Sequence, residues 1–106
     1  MTEVQTNFKR KPWRSEKYRR FVASLPCGVC NSKNVQAHHE QRIGEGVMGG
    51  KVSDERCIPL CCKHHANRHT FSRVFWSVCL IDPEQIIAQT QAEWVKRGGE
   101  REWEEV

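Results

Sequence analysis

Apolar and polar positions change period several times along this chain, and the changes mark its elements. Tyr18, Phe21, Val22 and Leu25 fall at i, i+3, i+4 and i+7, the stripe of a short helix, with Ser15 placed to cap it and Glu16 in its first turn. Pro26 stops that helix. Val35 to His39 reads as a short strand and Cys57 to Leu60 as a second. Between them, Gln41 to Asp54 contains Gly44, Gly46, Gly49 and Gly50 and is predicted as a long loop, a feature often tied to function in a small domain. Lys63 to about Trp76 has room for one helix. The last helix is signalled more sharply. Asp82-Pro83-Glu84-Gln85 offers a cap, a proline at the first helical position and a capping-box glutamine; Ile86, Ile87, Thr90 and Trp94 form a stripe, and Gly98-Gly99 ends it. The pattern predicts a basic flexible arm over 1–14, a single domain over 15–98 and an acidic solvated tail over 99–106.

A domain of this size, within 106 residues, is marginal on core burial alone, so a metal is one of the usual reinforcements. The ligands are present in unusual density. All five histidines and five of the six cysteines lie between residues 27 and 69. A disulfide framework is the competing reading of the cysteines, but Cys61 and Cys62 are adjacent, Cys79 is isolated, and Met1 to Asn7 is polar rather than an apolar leader. Metal thiolates and a cytoplasmic location are therefore expected. No stretch is long or apolar enough to span a membrane.

Spacing sorts the ligands. Cys27-Gly-Val-Cys30 is a knuckle that places two thiolates on one ion as the backbone reverses. Two registers compete for the second pair, Cys61-x-x-His64 and Cys62-x-x-His65. His65 and His69 are i and i+4 and share a helix face, whereas His64 and His69 would lie about 140° apart. The first register is favoured: Cys27, Cys30, Cys61 and His64 for structural zinc, leaving His38, His65 and His69 for a second metal. Cys57 is a substitute ligand in principle, but its strand setting suggests a buried small residue, and Cys62 and Cys79 read the same way. Neighbouring strand residues point to opposite sides, so His38 and His39 divide between ligand and base. Histidine ligands beside a free imidazole make a hydrolytic arrangement; two structural zincs are the bland alternative.

Charge adds a partner. The net charge is +4, but residues 1–53 carry ten Lys/Arg against four Asp/Glu, and 54–106 carry seven against nine. Lys9, Arg10, Lys11 and Arg14, with Trp13 and Tyr18 among the cations of this end, suit a phosphate backbone.

Taken together, Pro26-Cys27-x-x-Cys30, Ala37-His38-His39, Gly50-Lys51-Val52-Ser53-Asp54 and Pro59-Leu60-Cys61-x-x-His64-His65-x-x-x-His69 resemble the HNH (ββα-metal) endonuclease superfamily, in the small phage-type version with a zinc knuckle. The resemblance covers about residues 10 to 80. It implies an α+β fold: a small ββα-metal core stabilised by a zinc knuckle, with flanking N- and C-terminal helices. It implies a metal-dependent DNA endonuclease or nickase of low sequence specificity, leaving 5′-phosphate and 3′-OH. His39 matches the general base, and His38, His65 and His69 match the ligands of a catalytic divalent ion (Mg2+, Mn2+, Ni2+ or Zn2+). The family's middle asparagine, which braces the base, has no counterpart between Asn34 and Asn67, and Asp54 stands nearest that role. Arg42, Lys51, Arg68 and Arg73 would join the arm in gripping DNA. The alternative is a non-catalytic zinc-stabilised nucleic-acid-binding module; phage recombination or packaging proteins are the partners such a chain would serve.

Overall fold

The computed structural model describes residues 12–41, 52–72 and 74–105. Residues 42–51, the greater part of the stretch predicted as a glycine-rich loop, lie outside them, as do Lys9, Arg10, Lys11 and Arg73. The architecture is α+β, as the sequence predicts. Helix α1 (Glu16–Ala23) leads through the Cys27–Cys30 turn into strand β1 (Val35–His39). A single 3-10 turn, Asp54–Arg56, precedes strand β2 (Cys57–Cys61), and helix α2 (Cys62–Phe71) follows β2 without a linker. Helices α3 (Val74–Cys79) and α4 (Pro83–Lys96) and a 3-10 turn, Glu102–Glu105, complete the described chain. The strands pair antiparallel, Val35 opposite Cys61 and His39 opposite Cys57. No described helix is long and apolar enough to cross a membrane.

The caps form where the sequence places them. The Ser15 side chain accepts from the Tyr18 N–H, and the Asp82 side chain from that of Glu84, with Pro83 at the first helical position. Tyr18 and Val22 of α1, and Ile86, Ile87, Thr90 and Trp94 of α4, are buried. Every residue of β2 is buried because both sides of the two-stranded sheet are covered. Ile58 and Leu60 pack with Phe75, Trp76, Ile86 and Ile87. Cys57, one residue out of phase with them, packs with Trp13, Tyr18, Val22, Trp94 and Trp103.

Two expectations are corrected. The helix predicted from Lys63 to about Trp76 is two helices, broken at Ser72, whose φ of 53° ends α2. The break lets Phe75 and Trp76 turn into the core, while α2 itself buries none of its residues completely. The acidic end is not a solvated tail, and the arm is structured at its last residues. Trp13 and Trp103 are both buried and meet edge-to-face at 5.2 Å, so the folded unit reaches beyond 15–98 at both ends. Gly98 (φ 97°) reverses the chain after α4. Gly99 then passes so close to the Trp94 indole that a Cβ would lie 2.2 Å from it, and Trp94 donates to the Glu100 carbonyl. The acidic composition of this segment hid its one anchoring aromatic. Trp103→Ala is expected to destabilise the fold by about 3–5 kcal/mol, the range for emptying a buried aromatic site, read as a lower urea midpoint. A change under about 1 kcal/mol would return the segment to solvent.

Candidate functional site

The knuckle is set by hydrogen bonds along its own turn. The Cys27 N–H donates to Ser32 O and the Asn31 N–H to Cys27 O, and Asn31 takes a φ of 67° to close the reversal. The Gly28 N–H donates to Pro59 O at 2.8 Å, pinning the turn to the outer edge of β2. Cys61 closes that strand and His64 lies in the first turn of α2, so two distant stretches converge. Donor atoms of Cys27, Cys30, Cys61 and His64 lie within 4.8 Å of one another. A tetrahedral zinc, with bonds of about 2.3 Å to sulfur and about 2.0 Å to nitrogen, separates sulfurs by about 3.8 Å and sulfur from nitrogen by about 3.5 Å. Here Cys30 Sγ and Cys61 Sγ are 3.7 Å apart, and His64 Nδ1 is 3.3 Å from Cys61 Sγ and 3.9 Å from Cys27 Sγ. The donor set fits a structural zinc. Burial raises the Cys27 thiol, but the N–H groups of Cys30, Cys61 and Val29 outweigh it and hold the thiol below its usual range, favouring the thiolate a metal needs.

The second grouping joins β1 to α2. Gln36, His38 and Glu40 alternate along one face of the strand and its continuation, and His65, Arg68 and His69 share one face of α2. Donor atoms of His38, His65 and His69 lie within 4.8 Å of one another, and the ring centroids of His38 are 5.0 and 5.5 Å from those of His65 and His69. His65 Nε2 and His69 Nε2 are 3.2 Å apart, close to the ligand–ligand spacing of about 3 Å expected on one ion. Two residues that sequence reasoning missed orient these rings. His65 donates from Nδ1 to Gln36 Oε1 (2.6 Å), and His38 donates from Nε2 to Glu40 Oε1 (2.9 Å), leaving His65 Nε2 and His38 Nδ1 as lone pairs. Burial first, and then the neighbouring His38 and His69, push the His65 imidazole below its usual range, which keeps that lone pair available.

Glu40 is almost fully enclosed. Burial raises its carboxyl, but the hydrogen bonds from His38 and Arg68 prevail and hold it at about 2. Arg68 grips it with a two-bond fork, Nε to Oε1 at 3.0 Å and Nη2 to Oε2 at 2.9 Å. Arg68, predicted as a DNA contact, is therefore committed to a carboxylate. The pattern that could have found Glu40 is the alternation 36, 38, 40 set against 65, 68, 69.

His39 points to the other side of β1. Its Nε2 donates to Asp54 Oδ1 at 2.8 Å, which leaves Nδ1 as the acceptor on a half-buried ring. Asp54 is fully buried and takes four donors. His39 and Arg14 Nη1 (2.9 Å) share Oδ1; the Ser15 N–H (2.7 Å) and Arg19 Nη1 share Oδ2. Burial raises the Asp54 carboxyl, and these hydrogen bonds, that from His39 foremost, more than offset it and keep the carboxyl below its usual range. An asparagine could not serve here, because its amide nitrogen would face two donors. Arg14, predicted as a DNA contact, donates from Nη1 to Asp54 and to the Val52 carbonyl. His39, Asp54 and Cys57 also form a compact group. Burial, then the Asp54 charge, pushes the Cys57 thiol up to about 12, so it stays protonated and reads as core.

Residues 5–77 match a family described as a protein of unknown function (DUF968). The uncharacterized protein YdfU of Escherichia coli (strain K12) is 42% identical over 67 residues, which make up 63% of this chain and 19% of YdfU. The chain therefore spans about a fifth of that relative's length. No solved structure matches it. The matched stretch contains the knuckle, both strands, α2 and every residue of the two histidine clusters, and stops before α4. By that match, the chain belongs to the DUF968 family, whose function is unknown.

Proposed function

We propose that this chain is a metal-dependent endonuclease or nickase of the HNH type, acting on DNA phosphodiesters. The observation that carries the reading is the His39–Asp54 pair, one residue along the strand from the first of three converging histidines. His38, His65 and His69 would hold a divalent cation, which when bound supplies charge for the scissile phosphate and the departing 3′ oxygen. His39 Nδ1 takes a proton from water as the water oxygen attacks phosphorus; the bond from phosphorus to O3′ breaks, and O3′ takes a proton from solvent, giving a 5′-phosphate and a 3′-hydroxyl. Asp54 fixes the tautomer that leaves Nδ1 open and offsets the positive charge that the ring acquires. The knuckle holds zinc and stabilises the fold without entering the chemistry. With Arg14 and Arg68 occupied, the grip on DNA falls to Lys9, Arg10, Lys11, Arg42, Lys51 and Arg73, contacting backbone and so giving little sequence preference.

Supercoiled plasmid incubated with the zinc-loaded protein and Mg2+, Mn2+, Ni2+ or Zn2+ tests this. Nicked or linear product should appear with at least one of the added ions, disappear with chelator, track the protein through two purification steps, and be resealed by DNA ligase. Plasmid bound but uncut under every ion would replace the reading with a non-catalytic nucleic-acid-binding module.

A further inference from the structure

The three histidines come from two separate elements, His38 from β1 and His65 and His69 from α2, so something must fix the distance between strand and helix. Sheet hydrogen bonds between β1 and β2 place only the start of α2, which follows β2 directly, and do not reach its ligand face. Helix α2 brings almost no apolar burial to the contact, since none of its residues is fully buried. Two side chains of this strand face and its continuation cross the gap: Gln36, whose Oε1 meets His65 Nδ1 at 2.6 Å, and Glu40. Glu40 Oε1 accepts from the ligand His38 (2.9 Å) and from Arg68 Nε (3.0 Å), and its Oε2 accepts from Arg68 Nη2 (2.9 Å). Arg68 lies three residues after one helix ligand and one before the other. Glu40 is itself tied to the 3-10 turn that precedes the second strand: its N–H donates to the Arg56 carbonyl, and Arg56 Nε donates back to its carbonyl at 2.7 Å. Arg56 in turn grips Glu84 in the first turn of α4.

We propose that Glu40, anchored by Arg68, is a positioning residue of the three-histidine site, holding His38 in the Nε2–H tautomer with Nδ1 turned toward His65 and His69. This rests on the reading of that cluster as a metal site but not on any catalysis there. A buried ion pair is weak evidence of stabilisation, because a well-packed apolar pair of similar volume often does as well. The role argued here is geometric, and the two roles separate by experiment.

Two double variants isolate the bond to His38. Glu40→Gln with Arg68→Met removes the ion pair but keeps an oxygen that accepts from His38. Glu40→Leu with Arg68→Met removes that oxygen too. Co2+ is titrated into each zinc-loaded protein and followed by its visible absorption. The glutamine variant should bind Co2+ within a few-fold of wild type, and the leucine variant about 10–100-fold more weakly, the usual effect of losing an outer-shell partner. Equal Co2+ affinity in the two folded variants overturns the proposal. Should the leucine variant not fold, nitrogen-15 spectra of the imidazoles in the wild-type protein decide. The proposal requires His38 protonated at Nε2 before Co2+ is added, and the Nδ1–H tautomer overturns it. Wild-type protein that binds Co2+ at this site but never cuts plasmid would sink the endonuclease reading and leave this one standing.

Discussion

His39→Ala protein is expected to lose plasmid cleavage by about 10²–10⁴-fold, the range that a positioned base contributes, while keeping its zinc and its fold. In barrier terms that is about 3–5 kcal/mol. The size follows from the arrangement at Nδ1. Asp54 holds Nε2, so no other atom of the ring can take the proton, and none of the groups on Asp54 is a neutral base that could replace it: Arg14 and Arg19 are permanent cations and Ser15 offers only a backbone N–H. The fold survives for the same reason. Removing the imidazole leaves Asp54 with three of its four donors, so the buried carboxylate stays paired and the cost is near that of one hydrogen bond, about 1 kcal/mol. Metal content is also preserved, because His39 faces away from α2 and belongs neither to the Cys27, Cys30, Cys61 and His64 group nor to the His38, His65 and His69 group. The check is a single-turnover rate under saturating metal beside a thermal melt and zinc analysis. Unfolding or loss of zinc would move His39 into a structural role, and an unchanged rate would remove it from the chemistry.

How far these sites were legible in the sequence depended on whether a residue's role is local. The two ligand groups are spacing problems, Cys27-x-x-Cys30 on a turn and His65-x-x-x-His69 on a helix, and spacing along an element is written in the chain. So are the caps at Ser15 and Asp82 and the stripe on α4. Partners brought together by packing were not legible. Arg14 and Arg68 look like any exposed cations until the fold sets each beside a buried carboxylate. Glu40 is one acidic residue among thirteen; the alternation 36, 38, 40 sets it on the face of His38, but its two bonds from Arg68 exist only once β1 docks against α2. Trp103 was obscured by the glutamates around it; its burial depends on a chain reversal at Gly98 and close passage at Gly99, neither visible as a periodicity. The break at Ser72 belongs to the same class. Nothing in its local propensity demands it, and the need of Phe75 and Trp76 for the core does.

Cys27→Ser is expected to unfold the domain, or to lower its thermal midpoint by tens of degrees, and to abolish zinc binding at the proposed four-donor site. The four donors tie the Cys27–Cys30 turn to the β2–α2 junction, and the two otherwise meet through the Gly28–Pro59 and Cys62–Asn34 backbone hydrogen bonds, the neighbouring β1–β2 pairing and the packing of a few apolar side chains. Structural zinc in small domains is worth on the order of 10 kcal/mol or more, against a total stability of about 5–15 kcal/mol for a typical domain, so removing one thiolate takes away most of the margin. Serine is nearly the same size, which excludes a packing explanation, and its hydroxyl does not ionise near neutral pH to replace the thiolate. Two companions make the result specific. Cys62→Ser, one residue past Cys61 on the exposed side of α2, should leave melting and zinc content unchanged, as the Cys61-x-x-His64 register requires. His69→Ala should melt near wild type yet bind Co2+ poorly at the second site, because His69 is exposed and lies outside the Cys27, Cys30, Cys61 and His64 group. A Cys27→Ser protein that melts near wild type with one zinc bound would overturn the assignment of that site. If instead Cys62→Ser is the variant that loses zinc, the competing register is correct and His65 moves from the open site to the closed one.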